Sequence, residues 1–175
     1  MEALKLVTPT EAHQAAAEAF KNEFMEYGEQ IINGSALLDQ MEYLPWLENM
    51  RNNNNPQTVS SDWVVSSTFF AMRESDGAIV GIIDVRHSIK QPFLSQYGGH
   101  IGYAVRPGER RKGYAVQMLR QALAFTREIG LEKVMLGCYC DNTASKRTME
   151  ACGAKWTETK PYADGKMMDI YWITL

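Results

Sequence analysis

The chain has 175 residues and a mass of 19.8 kDa, which suits one domain with a substantial core. At 45% hydrophobic and 22% charged residues it has a globular, not a disordered, composition. A net charge of −3 argues against broad nucleic-acid binding, and no apolar run is long enough to cross a membrane. The first residues lack the basic start and apolar core of a signal peptide. The 3 cysteines are odd in number and fit no disulfide framework, so a cytoplasmic location is expected. Cys138-x-Cys140 has no His or second Cys pair beside it, so no metal is expected.

In chain order, Leu4-Lys5-Leu6-Val7 predicts a short strand. Thr8-Pro9-Thr10-Glu11 reads as the start of a helix that runs towards Tyr27. His13 is expected on its surface, and Glu23, Glu26 and Glu29 on a solvated face. After a loop at Asn33-Gly34-Ser35, a second helix carries Leu38, Met41, Leu44, Leu47 and Met50 and stops at Asn52 to Asn55. A strand follows from Val64 to Arg73, and Asp76-Gly77 signals a hairpin to a partner strand from Ile79 to Val85. Arg86 to Tyr97 reads as an irregular excursion, and Gly98 to Val105 as the next strand. Helix, strand, helix and a final hairpin at Asp164-Gly165 complete the order.

The densest signal lies after Val105. The strand ends at Arg106-Pro107-Gly108, three cations follow at Arg110, Arg111 and Lys112, and Gly113 opens a helix with Ala115, Leu119, Ala122, Leu123 and Thr126 on one face. The first N–H groups of a helix have no partner inside it, and the helix dipole adds positive charge there. A glycine lets a phosphate approach the backbone. The stretch therefore reads as a pyrophosphate site. It is not a P-loop, because Tyr114 and Ala115 stand where Lys and a hydroxyl residue belong. It is not the dinucleotide fingerprint, which needs three glycines around the turn.

Arg110-x-x-Gly113-x-Ala115 resembles the acetyl-coenzyme A loop of the GNAT superfamily of N-acetyltransferases. Asn142, Ser145, Glu150 and Gly153 match a second motif of that family at the right distance, and the resemblance is clearest from Gly98 to Ala154. It implies a single α+β domain over residues 1–175, with a mixed, mostly antiparallel sheet flanked by helices on both faces. It implies acetyl transfer from acetyl-coenzyme A, without a metal, to a primary amine on a small molecule or peptide. It leaves room for a homodimer. Backbone groups of Tyr103 and Val105 would hold the pantetheine arm, and an N–H there would polarise the thioester. The pyrophosphate would rest on the amides of Arg111, Lys112, Gly113, Tyr114 and Ala115. The side chains of Arg110, Arg111 and Lys112 would reach the phosphates, and the Asn142 amide the pantetheine.

The same resemblance marks two departures. The family's Glu base falls at Gly99 and its Tyr proton donor at Met149. His100, on the cofactor strand, is the candidate base, although strand alternation puts it opposite Tyr103 and Val105; His87 is the second candidate. Ser145 is the candidate to protonate the thiolate. Phe20, Phe24, Tyr27, Tyr43, Trp46 and Met50 read as core, with an acceptor pocket wall as the alternative. A weakened coenzyme A-binding module with a sensing or assembly role is the second functional reading.

Overall fold

The computed structural model describes residues 2–175; Met1 lies outside them. In chain order the elements are β1 (Leu4–Val7), α1 (Gln14–Glu26), α2 (Tyr43–Asn53), β2 (Ser66–Arg73), β3 (Ile79–Arg86) and β4 (Ile101–Val105). They continue with α3 (Tyr114–Glu128), β5 (Lys133–Tyr139), α4 (Thr143–Ala151), β6 (Lys155–Pro161) and β7 (Met167–Thr174). The Asp76-Gly77 turn forms as its chemistry demands. Gly77 takes φ +70°, and Asp76 Oδ1 accepts the Ala78 N–H at 3.1 Å.

The strands make two antiparallel sheets, ordered β1-β2-β3-β4 and β5-β7-β6. α3 and α4 close one face, over Val80, Ile83, Val85, Val134, Leu136 and Tyr171. α1 and α2 close the other face of the first sheet, over Phe70, Ile79 and Ile82. Strand β3 lies between both layers, which explains its nearly unbroken apolar run.

Three expectations are corrected here. The second helix begins at Tyr43, so Leu38 sits in a separate turn and Leu44 is 50% exposed. Pro45 is the reason: it cannot donate a helix hydrogen bond and is tolerated only in a first turn. His13 is half-buried, with Nδ1 accepting the Thr10 N–H at 3.0 Å and the ring edge-on to Phe70. Strand β4 begins at Ile101, because Leu94–Gly98 folds into a tight turn and Gly99 takes φ +64°.

His100 joins the two sheets. Its N–H donates to the Met135 carbonyl at 2.8 Å, and its Nδ1 accepts the Met135 N–H at 2.9 Å. Its own carbonyl accepts the Arg86 N–H at 2.7 Å. The ring is buried, and that burial, with Arg86 nearby, pulls its pKa down to about 4. A base needs a free lone pair, and the one on neutral His100 is already bonded. The expected role for His100 as general base therefore gives way to a structural one.

This joint makes stability depend on pH. The unfolded chain binds a proton at His100 near pH 6.5, while the fold delays it to about 4. The contribution is full above pH 6.5 and drains as pH falls towards 4. His100→Ala should cost about 1–3 kcal/mol at pH 7, because it orphans the Met135 N–H. Its denaturation midpoint should also fall less steeply than the wild type's between pH 6.5 and 4. Parallel curves for the two proteins would refute this assignment.

Candidate active site

The turn between β4 and α3 is built from two left-handed residues, Arg111 at φ +63° and Gly113 at φ +83°. Among the described residues, the N–H groups of Arg111 to Ala115 have no protein acceptor. The result is an anion cradle at the start of a 15-residue helix. Arg111 and Lys112 are exposed beside it, and Lys112 pairs with Glu109 at 2.8 Å. Tyr114 brings only its N–H, since its ring is buried and its hydroxyl donates to Glu2 at 3.1 Å.

Arg110 points elsewhere. Its two Nη atoms grip the Glu29 carboxylate at 2.7 and 2.6 Å, and its Nε donates to the Val105 carbonyl at 3.2 Å. The guanidinium lies 5.7 and 5.4 Å from the Phe24 and Tyr27 ring centroids. Arg110 holds Glu29 below the usual carboxylate range through these bonds. Glu23 likewise pairs with Arg106 at 2.5 Å and accepts the Gly108 N–H at 2.8 Å. The solvated face expected for Glu23 and Glu29 is thus corrected. They bolt α1 and the chain after it onto the turn between β4 and α3, and Glu26 alone of the three stays exposed.

Beyond His100 the two sheets diverge, leaving a gap between β4 and β5. Gly102 and Ala104 lie opposite Asp84 and Ile82 of β3. The bonds from Arg86 N–H to the His100 carbonyl and from Arg106 N–H to the Val80 carbonyl put the even-numbered residues in the bonded set. The backbone groups of Tyr103 and Val105 therefore point into the gap. Their side chains lie on the α3–α4 face. There the Tyr103 hydroxyl is hydrogen-bonded to Ser145 Oγ at 2.8 Å. Burial pushes the Tyr103 phenol up to about 12, so it carries its proton at neutral pH.

Asn142 caps α4, its Oδ1 accepting the Ser145 N–H at 3.0 Å. The cap fixes Ser145 beside the Tyr103 hydroxyl. Met149 is core, 1% exposed. The shared parity of Ile101, Tyr103 and Val105 is the sequence signal that puts the Tyr103 side chain on the α3–α4 face. The second candidate base, His87, is corrected too. Its Nε2 bonds Ser67 Oγ at 2.9 Å, and its ring packs on Phe125 of α3, away from the gap. Phe20, Phe24, Tyr43, Trp46 and Met50 are core, whereas Tyr27 is 66% exposed. Among the described residues no three His, Cys, Asp or Glu side chains converge as metal ligands.

A family profile described as an acetyltransferase (GNAT) domain matches residues 3–155. The chain belongs to the GNAT acetyltransferases. It is therefore an acetyltransferase, with acetyl-coenzyme A as its donor. RimL, a ribosomal L7/L12 alpha-N-protein acetyltransferase solved with coenzyme A, is similar at TM-score 0.71 and 14% identity, over 98% of this chain and 94% of RimL. MccE, a microcin C7 self-immunity acetyltransferase solved with acetyl-coenzyme A and AMP, has TM-score 0.70 and 14% identity, over 98% and 92% of the two chains. An N-acetyltransferase from Staphylococcus aureus Mu50 has TM-score 0.66 and 17% identity, over 98% of each chain. At these identities the likeness is one of fold. No curated protein sequence matches the chain.

The geometry explains why this GNAT chain has Gly at position 99. Any Cβ there would collide with the Met135 carbonyl, and the backbone is left-handed. Gly99→Glu should therefore not create a base. It should cost at least about 1–3 kcal/mol from the backbone alone, read as a lower denaturation midpoint with no gain in turnover. A stable and faster Gly99→Glu variant would show the close approach to be unimportant.

Proposed function

We propose that the protein transfers the acetyl group of acetyl-coenzyme A to a primary amine, with the phosphates in the cradle at the start of α3 and the thioester in the gap beside β4. The carrying observation is that the open N–H groups of Arg111 to Ala115 and the free edge of β4 belong to one continuous turn. The cradle fits a pyrophosphate because Gly113 has no side chain and the N–H groups around it are open at a helix start. In this reading Arg110 is a positioning residue, engaged with Glu29, and the exposed Arg111 and Lys112 supply positive charge, that of Lys112 shared with Glu109.

Acetyl-coenzyme A supplies an activated carbonyl and, after transfer, a thiolate. Tyr103 or Val105 N–H donates to the carbonyl oxygen, where one fixed donor is worth about 2.7–4 kcal/mol. Ser145 Oγ, backed by the Tyr103 hydroxyl, delivers the proton to the sulfur. The β4 phenol thus serves where Met149 has none. Neither His87 nor His100 presents a free lone pair to the gap, so the amine loses its proton to water. RimL, named for action on a protein α-amine, is consistent with an amine acceptor. The three free cysteines suit a reducing cytoplasm.

Two outcomes test this reading. Gly113→Asp should abolish acetyl-coenzyme A binding in calorimetry while the circular dichroism spectrum stays native; unchanged affinity would remove the cradle. Tyr103→Phe should lower turnover about tenfold with acetyl-coenzyme A affinity preserved. That is below the usual 10²–10⁴ for acid–base help, because a thiolate leaves easily. Its rate should rise with pH as the wild type's does, with no histidine inflection near 6.5. An unchanged rate would place the proton donor elsewhere.

A further inference from the structure

The opposite face of the gap is where an acceptor would meet the thioester, and its chemistry is specific. On the β4 side the wall is Gly102, with the backbone of Gly34 laid against it and Arg86 beside it. A Cβ on Gly102 would lie 3.1 Å from Gly34 Cα and 3.3 Å from Arg86 Nη2. On the β5 side the wall is Gly137, against which the Tyr97 carbonyl packs. Next to it the rings of Tyr97 and Tyr162 meet at 5.0 Å, and Tyr162 and Tyr139 at 6.3 Å.

Arg86 is held from behind. Its Nη1 donates to the carbonyls of Gly98 and Gly99, each at 3.1 Å, and its Nε lies 3.5 Å from Asp84 Oδ2. Asp84 is buried and also accepts from Thr68 Oγ1 at 2.9 Å. Nη2 has no protein acceptor among the described residues, and no buried side-chain nitrogen or oxygen goes unpaired, so Nη2 reaches solvent. The guanidinium is thus rigid, with one donor edge presented on the acceptor face.

The other charges on these elements have the same bias. Asp39 already accepts from the Ile32 N–H at 2.9 Å, and Asp164 from the Tyr139 hydroxyl at 2.7 Å. Glu29 is locked to Arg110. The cations Lys160 and Lys166 lie over the rings of Tyr97 and Tyr139, at 5.0 and 5.2 Å. A polycationic amine would be repelled by Arg86 and Lys166, Lys160 being shared with Glu158 at 3.4 Å. An amine with its own anion would not.

We infer that the acceptor is a small amine carrying a carboxylate next to its amino group, an amino acid or a close analogue, with Arg86 Nη2 binding the carboxylate and the tyrosine wall receiving the side chain. This inference rests on the acetyl-transfer reading. Pairing with the guanidinium sets the amine beside the gap, and the same positive charge disfavours its ammonium form. Arg86 acts here on substrate selection, not on the bond made.

The test uses matched pairs differing only by the carboxylate: phenylalanine with phenethylamine, and tyrosine with tyramine. Coenzyme A release is followed with a thiol reagent. The wild-type kcat/KM should favour the carboxylated member of each pair by at least tenfold, equivalent to about 1.4 kcal/mol. Arg86→Met should bring that ratio close to one, and Arg86→Lys should restore part of it. If Arg86→Met fails to fold, the wild-type ratios decide. Equal rates, or preference for the decarboxylated amines, would remove this inference and leave acetyl transfer standing. Release with neither member of either pair, in a protein that binds acetyl-coenzyme A, would also remove this inference and leave acetyl transfer to another amine standing.

Discussion

Two hydrogen bonds between His100 and Met135 carry the molecule's main geometric decision. They tie β4 to β5 at one residue and let the strands diverge beyond it. A continuous sheet would pair Tyr103 and Val105 with β5 and leave no donor or acceptor for a ligand. The histidine suits the joint because its ring accepts a backbone N–H while its own backbone donates in return. Burial keeps that ring neutral, which the bond requires.

The joint depends on missing side chains. Gly99 and Gly137 permit the close contacts with Met135 and Tyr97, and Gly102 with Gly34 permits the segment after α1 to lie on β4. The close approach fixes the walls on both sides of the gap. It also explains a departure from the family pattern: a carboxylate at position 99 and this joint exclude one another.

The segment after α1 and the turn between β4 and α3 are mechanically one unit. Glu29 holds Arg110, and Glu23 holds Arg106 and the Gly108 N–H. Charge-assisted, partly bidentate bonds of this kind are stronger and more directional than ordinary surface pairs. The motif's first arginine therefore shapes the loop from behind, and the N–H groups of Arg111 to Ala115 are left open.

The sequence by itself determined the element types, the hairpins at Asp76-Gly77 and Asp164-Gly165, the helix face of α3 and the glycine-containing turn before it, because these rest on local periodicity and turn chemistry. It also carried the family through two motifs at set spacing. It misplaced the start of α2, where Pro45 outweighed periodicity, and read Glu23 and Glu29 as solvated because their partners lie more than 80 residues away. It named His100 as a base from strand position, whereas a partner 35 residues on, Met135, makes it structural. The Tyr103–Ser145 pair and the open edge of Arg86 were likewise invisible. Contacts between distant residues, and the environment that sets a proton's affinity, exist only once β3, β4, β5 and α4 are packed together.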